Sequence, residues 1–166
     1  FLLAGNDPGG RWETGFRAKS SATTISNVKF LGRVGDSELQ DLYNRCDIFT
    51  APSRYESFGL VFAEAMAYGK PVVGCNAGGM PEVIGKDAGF LAEPGSSSDL
   101  ADCLASLARS KQMRKQMGQY ARQRVLSRFG YKKMATDTLQ LYKRLLSGEK
   151  PIGGTTFPLD CKDGKN

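Results

Sequence analysis

The chain has 166 residues, 40% of them hydrophobic and 24% charged, which is enough for one domain and too few for two of ordinary size. There is no run of eighteen apolar residues to span a membrane, and the opening FLLAGNDPGGRWE lacks the basic start and the longer apolar run of a signal peptide. A net charge of +6 favours anionic partners without choosing among phosphates, acidic glycans, lipid headgroups and nucleic acid, and a chain without histidine supplies no histidine base.

In chain order, Phe1 to Ala4 reads as a strand ended by the turn-rich Gly5 to Gly10, with a weak helix between Trp12 and Ser21. Val28 to Leu31 is a second strand, and Gly32 to Gly35 a loop. Asp36 or Ser37 can cap the next helix, Gln40 closing a capping box on Ser37, with Leu39, Leu42 and Tyr43 as its apolar face. Asp47 to Ala51 is a third strand, Pro52 to Ser57 a loop, and Phe58 to Tyr68 a helix stopped by Gly69 and Pro71. Val72 to Cys75 is a fourth strand, 76–79 a glycine-rich turn, Met80 to Ile84 a short helix, and Gly89 to Ala92 a fifth strand. After a loop from Glu93 to Ser98 the pattern is helical to Leu146, broken near Ser110 and Gly130, and 147–166 reads as a flexible tail.

This alternation predicts an α/β fold: a Rossmann-like parallel sheet with helices on both faces, followed by a helical C-terminal segment. Ligands in such sheets bind at the carboxyl ends of strands, beside helix N-termini. Three loops qualify: Gly32 to Asp36, Pro52 to Gly59, and Asn76 to Met80. The four cysteines are widely spaced without a CxxC pair, so buried thiols are expected rather than a zinc site or a disulfide framework.

The segment Ala51 to Val73 carries the chemistry. A helix N-terminus presents unpaired N–H groups and partial positive charge, and Gly59 lets an anion approach the backbone. Glu56, just before the helix, can accept hydrogen bonds from hydroxyl groups near that anion. Glu64, eight residues later, is expected two turns in and ~9 Å further along the axis. That is the scale of a diphosphate between two polyhydroxylated rings. Two glutamates at this spacing also occur where both are merely solvated, but Ala63, Ala65, Met66 and Ala67 surround Glu64, and a carboxylate on an apolar helix needs a partner.

Pro52-Ser53, Glu56-Ser57-Phe58-Gly59-Leu60, Glu64-Ala65-Met66-Ala67 and Gly69-Lys70-Pro71-Val72-Val73 follow one another in order. The series resembles the Glu-x7-Glu signature of retaining GT-B glycosyltransferases of group 1, or family 4, the family of sucrose-phosphate synthases and bacterial mannosyltransferases. Phe30 to Val34, Asn76 to Glu82 and Gly89 to Leu91 resemble its flanking landmarks, so the likeness covers roughly residues 1–146. It implies half of a GT-B fold: a nucleotide-sugar-binding domain at 1–146, truncated at its N-terminus. It implies that Glu56 is the catalytic-site carboxylate holding the donor sugar hydroxyls. The N–H groups of Phe58, Gly59 and Leu60 would meet the sugar or the diphosphate, Glu64 the ribose hydroxyls, and Val34 and Asp36 the base. Gly78 and Gly79 are expected to let the chain turn tightly beside the site. The donor substrate is a nucleoside diphosphate sugar, UDP-sugar or GDP-sugar, with no separate cofactor and no metal. The family's preceding strand and helix, with an Arg and a Lys that clamp the diphosphate, and its N-terminal acceptor domain lie outside this sequence. The fragment is therefore expected to bind donor weakly and to be inactive alone.

Residues 104–135 hold no acid, while Arg109, Lys111, Arg114, Lys115, Arg122, Arg124, Arg128, Lys132 and Lys133 are all basic. Met113, Met117, Ala121 and Val125 recur at helical spacing and bury one face. The basic face is either simply solvated or touches an anionic membrane on its cytoplasmic side. Two alternatives remain: another enzyme on this scaffold, such as an epimerase or a phosphorylase relative, and a non-catalytic basic module binding a polyanion such as RNA. The Glu56/Glu64 pair, and the lack of a lysine placed for pyridoxal phosphate, argue against the first. The segment's few aromatics, Tyr120, Phe129 and Tyr131, argue against the second, so no nucleic acid is expected and the location is read as cytoplasmic.

Overall fold

A computed structural model describes residues 1–148; residues 149–166, with Cys161 and most of the tail expected at 147–166, lie outside the described residues. Two compact units divide the chain, one spanning Phe1–Val125 and the other beginning at Leu126.

In the first unit every strand pairing is parallel, as the alternation of strands and helices requires. Strand β1 (Leu2–Ala4) pairs with β2 (Lys29–Gly32). Strand β3 (Phe49–Thr50) pairs with β4 (Val72–Cys75), which pairs along its whole length with β5 (Gly89–Ala92). The hydrogen-bonded strands thus form two ladders, β1-β2 and β3-β4-β5, rather than the single sheet expected. The ladders also differ in burial. All four residues of β4 are buried, whereas Leu2 and Leu3 on β1 are 54% and 45% exposed. A parallel strand is normally covered on both faces, and β1, paired with β2 alone, is not.

Helices α1 (Arg11–Lys19) and α2 (Ala22–Ser26) lie between β1 and β2, where one helix is expected. The second exists because the Ser21 hydroxyl caps it, accepting the Thr24 N–H at 3.2 Å. Helix α3 (Asp36–Arg45) follows β2 with Gly35 at its N-cap and no side-chain cap, so the Ser37–Gln40 capping box does not form. The helix already includes both residues of that box, and Asp36 in its first turn meets the positive end of the dipole instead. Strand β3 is two residues rather than five; Phe49 lies opposite Val72, the first residue of β4, so Asp47 and Ile48 have no ladder partner.

Helix α4 (Leu60–Ala67) ends in a Schellman motif: Gly69, at φ +70, donates to Met66 O at 2.9 Å, and Lys70 donates to Ala65 O at 3.2 Å. Helix α5 (Met80–Ile84) follows β4. Phe62 and Met66 of α4, Met80, Val83 and Ile84 of α5, and Val72 and Val73 of β4 are all fully buried, and this cluster is the core. Helix α6 (Ser97–Arg109) starts two residues early because Ser96 caps it, accepting the Asp99 N–H at 3.2 Å.

Helix α7 (Lys111–Arg128) buries Gly118, Ala121 and Val125; of the expected face, Ala121 and Val125 are buried and Met113 and Met117 are only half-buried. Gly118 must be glycine, since a Cβ there would stand 2.1 Å from Gly69 O. Three of its arginines close the ends of three other helices. Arg114 donates to Leu107 O and Ala108 O at 2.8 and 2.9 Å on α6. Arg122 donates to Ala67 O on α4. Arg124 donates to Glu82 O and Val83 O at 2.6 and 2.9 Å on α5. The last carbonyls of a helix have no partner within it and carry negative partial charge, so guanidinium groups suit them.

In the second unit, α8 (Tyr131–Leu146) is amphipathic but has no buried residue; Tyr131 is 75% and Leu146 89% exposed. Among the described residues no helix is long and apolar enough to cross a membrane.

Candidate functional site

The site gathers where β3 and β4 end. After β3 the chain runs through 51–59 and enters α4 at Gly59, whose φ of +88 is left-handed. A Cβ at Gly59 would stand 2.9 Å from Cδ2 of Phe62, so both the conformation and the space call for glycine. Phe62 is fully buried with its ring 5.6 Å from that of Phe49, which ties the first turn of α4 to β3. Because Gly59 is not helical, α4 begins at Leu60. Phe58 therefore lies outside the helix that it was expected to open, and Glu64 lies one turn in rather than two, ~6 Å along the axis from Leu60. Phe62 and Ala63 donate to Gly59 O at 3.0 and 3.4 Å. Leu60 and Val61 have no acceptor for their N–H groups among the described residues and, at 67% and 38% exposure, stand open to an anion at the positive end of α4.

The loop carrying Glu56 is held from behind by the turn at 76–79. The Gly79 N–H donates to Glu56 O at 2.8 Å. A Cβ on Gly78 would meet Glu56 O at 2.1 Å, and one on Gly79 would meet Ser57 O at 2.4 Å. These glycines therefore bring two backbones into contact, consistent with a turn role. Glu56 is half-buried, and its carboxylate makes no hydrogen bond among the described residues.

Glu64 lies on the exposed side of α4 rather than in the apolar setting that its sequence neighbours suggest, and it nonetheless has a partner. Its Oε2 accepts the Tyr43 O–H at 2.9 Å. Tyr43 projects from the last turn of α3 and is 5% exposed, its ring 5.6 Å from those of Phe49 and Tyr68. Burial, then the hydrogen bond and the charge of Glu64, push the Tyr43 hydroxyl pKa well up, so it stays a donor at all ordinary pH. Sequence periodicity places Tyr43 in the core without revealing this contact. The available signal is that a buried tyrosine, unlike phenylalanine, needs a partner for its hydroxyl.

Val34 is half-buried in the loop after β2, and Asp36 opens α3 exposed. Neither shares a hydrogen bond with Glu56 or Glu64 among the described residues; their link to the α4 group is α3 itself, which carries Tyr43 seven residues after Asp36. A cavity of about 340 Å3 opens beside Val34, at the carboxyl ends of β1 and β2, lined by Asp7, Trp12, Glu13, Phe30 and Arg33 among others. Asp7 is not free to act there, because its carboxylate accepts the Trp12 and Glu13 N–H groups at 3.0 Å and so caps α1.

Residues 1–124 match the family of glycosyl transferases group 1. The chain belongs to that family. It is similar to N-acetyl-alpha-D-glucosaminyl L-malate synthase of Bacillus anthracis, 36% identical over 124 residues, which cover 74% of this chain and 32% of that protein. Among solved structures, sucrose-phosphate synthase from Thermosynechococcus elongatus superposes with a TM-score of 0.74 at 27% identity, over 89% of this chain and 39% of that one. The Anabaena protein HepE, in complex with UDP and glucose, superposes with a TM-score of 0.71 at 30% identity, over 88% and 40%. This group 1 glycosyltransferase chain thus has the parallel α/β architecture of GT-B enzymes, and it spans about a third of the length of the curated relatives it matches.

Proposed function

We propose that this chain is the donor-binding part of a retaining glycosyltransferase that moves a sugar from a nucleoside diphosphate sugar, UDP-sugar or GDP-sugar, to a glycan or lipid-linked acceptor. The observation that carries the reading is the open N-terminus of α4, with the N–H groups of Leu60 and Val61 unpaired among the described residues and Glu56 and Glu64 on either side. The diphosphate sits against that turn. There the helix dipole and the N–H groups stabilise the charge that the leaving diphosphate gains as the glycosidic bond breaks. Glu56 accepts hydrogen bonds from the sugar hydroxyls, Glu64 from the ribose, and the backbone around Val34 and Asp36 lines the base. A structural neighbour solved in complex with UDP and glucose supports a nucleotide sugar as the partner.

The sheet supports a further part of the reading. One strand placed between β1 and β3 would turn the two ladders into the order β2-β1-strand-β3-β4-β5, the doubly wound arrangement, with its switch point at the end of β3. That strand and the acceptor-binding domain belong, in this proposal, to the longer parent enzyme; this chain alone binds donor weakly and transfers nothing. Contact with an anionic membrane on the cytoplasmic side is a secondary proposal, favoured by the exposed apolar residues of α8 beside Lys132, Lys133, Lys143 and Arg144. Binding to anionic but not neutral vesicles supports it; equal binding to both, or none, removes it.

The donor reading is tested by titrating the chain with UDP, GDP and ADP under NMR observation, which detects millimolar affinities. Saturable binding of one nucleotide, lost in Glu64→Ala, is expected. Binding that survives this substitution contradicts the reading.

A further inference from the structure

We propose that Tyr43 is the positioning residue for Glu64: from α3 it fixes one carboxylate oxygen so that the other is presented to the ribose of a nucleoside diphosphate. The assignment rests on the donor-site reading above.

The packing of Tyr43 needs only its ring. That ring is buried between Phe49 and Tyr68, nearly parallel to the latter at an interplanar angle of 25°, and phenylalanine would fill the same space. The hydroxyl is the part without a packing role. It reaches from α3 across to α4 and donates to Glu64 Oε2 over 21 residues of sequence. A ring held between two others has little freedom, so the direction of its O–H is set by the core.

Glu64 by contrast is a long side chain on the exposed side of its helix, with several rotamers open to it. A glutamate that must accept hydrogen bonds from a diol loses that freedom on binding, and affinity falls accordingly. Tyr43 removes part of the cost beforehand. It occupies Oε2 and leaves Oε1 without a hydrogen bond among the described residues. Tyr43 remains neutral and a donor whatever the ordinary pH, because burial raises its pKa. The same contact joins α3, which begins at Asp36 beside the expected base loop, to α4, which carries the expected ribose ligand.

The test compares the wild-type chain, Tyr43→Phe and Glu64→Ala by NMR titration with UDP and GDP, and with the 2′-deoxy and 3′-deoxy analogues of the nucleotide that binds. Thermal unfolding confirms that each variant is folded. Tyr43→Phe is expected to weaken the natural nucleotide about fivefold, the equivalent of one net hydrogen bond. It is also expected to shrink the penalty for removing a ribose hydroxyl, since a released carboxylate discriminates less. In the unliganded chain, the side-chain couplings of Glu64 should report one rotamer in the wild type and averaging in the variant. Equal weakening of natural and deoxy nucleotides, or affinity unchanged, overturns the assignment while leaving the donor site if Glu64→Ala abolishes binding. Binding that survives Glu64→Ala, or no shift with either nucleotide, overturns the donor reading and the assignment with it. Rotamer averaging of Glu64 in the wild type overturns the assignment even if the phenylalanine variant does not fold.

Discussion

Gly79 stands where the turn after β4 meets the loop that carries Glu56. Its backbone, φ −81 and ψ −8, is one that alanine adopts freely, so a substitution there tests contact alone. The added Cβ would meet Ser57 O at 2.4 Å and Phe58 Cα at 3.0 Å, both backbone atoms that cannot rotate away. Gly79→Ala is expected to cost about 1–3 kcal/mol, as overpacking does, and to weaken nucleotide binding as the 56–58 loop moves. Gly15→Ala, inside α1 with nothing within 4 Å of its Cβ, should be neutral or stabilising by up to ~1 kcal/mol. Urea denaturation of both variants checks the pair. The grouping of Glu56, Gly59 and Glu64 about the start of α4 was legible in the sequence because all three lie along one strand–loop–helix unit. The Tyr43–Glu64 bond was not, because periodicity reports that a residue is buried and is silent on what lies across from it.

At the level of elements, most boundaries follow from local chemistry, and the misses divide between local capping, as at Ser21 and Ser96, and packing. Helix α4 starts two residues late because Gly59 takes a left-handed conformation, with the Phe62 ring where a Cβ would stand. Strand β3 starts late because its ladder partner does. The second is a tertiary effect invisible to a window of sequence. The basic segment is the clearest case. Its charges count identically in the sequence, yet Arg114, Arg122 and Arg124 hold helix carbonyls and Lys115 is exposed. Arg124→Ala should therefore destabilise the chain by about 1.5–3 kcal/mol, the range for hydrogen bonds to a charged group. Lys115→Ala should stay within about 0.5 kcal/mol. Equal effects of the two substitutions in chemical denaturation would mean that the capping contacts contribute nothing.

For the molecule as a whole, the alternating pattern gave the parallel α/β class directly, and the four-residue β4, buried throughout, shows why: apolar runs between helices have nowhere else to go. The division into two ladders could not be read, since the order and pairing of strands are set by packing and not by any one strand's own pattern. Burial also sets a pH dependence. Cys46, Cys75 and Cys103 are all pushed above the ordinary thiol range, chiefly by burial, and Tyr43 is raised by burial and by Glu64. Each holds its proton more tightly folded than unfolded. Their contribution is complete below the unfolded pKa values and is lost as pH rises through the folded ones. Stability measured by urea midpoint should thus be flat across neutral pH and fall above about pH 8.5. Cys75 is buried and Cys46 and Cys103 half-buried, and a midpoint that rises there would contradict their being held protonated in the folded chain.

The central claim is that the first turn of α4 is the diphosphate site, and amide chemical shifts on adding UDP or GDP test it most directly. The account predicts that the largest changes fall on Leu60 and Val61, whose N–H groups gain phosphate acceptors, with smaller ones at Gly59 and around Glu56 and Val34. Changes concentrated instead among the arginines and lysines of α7, or around Trp12 and Arg33 with Leu60 and Val61 unmoved, would contradict it.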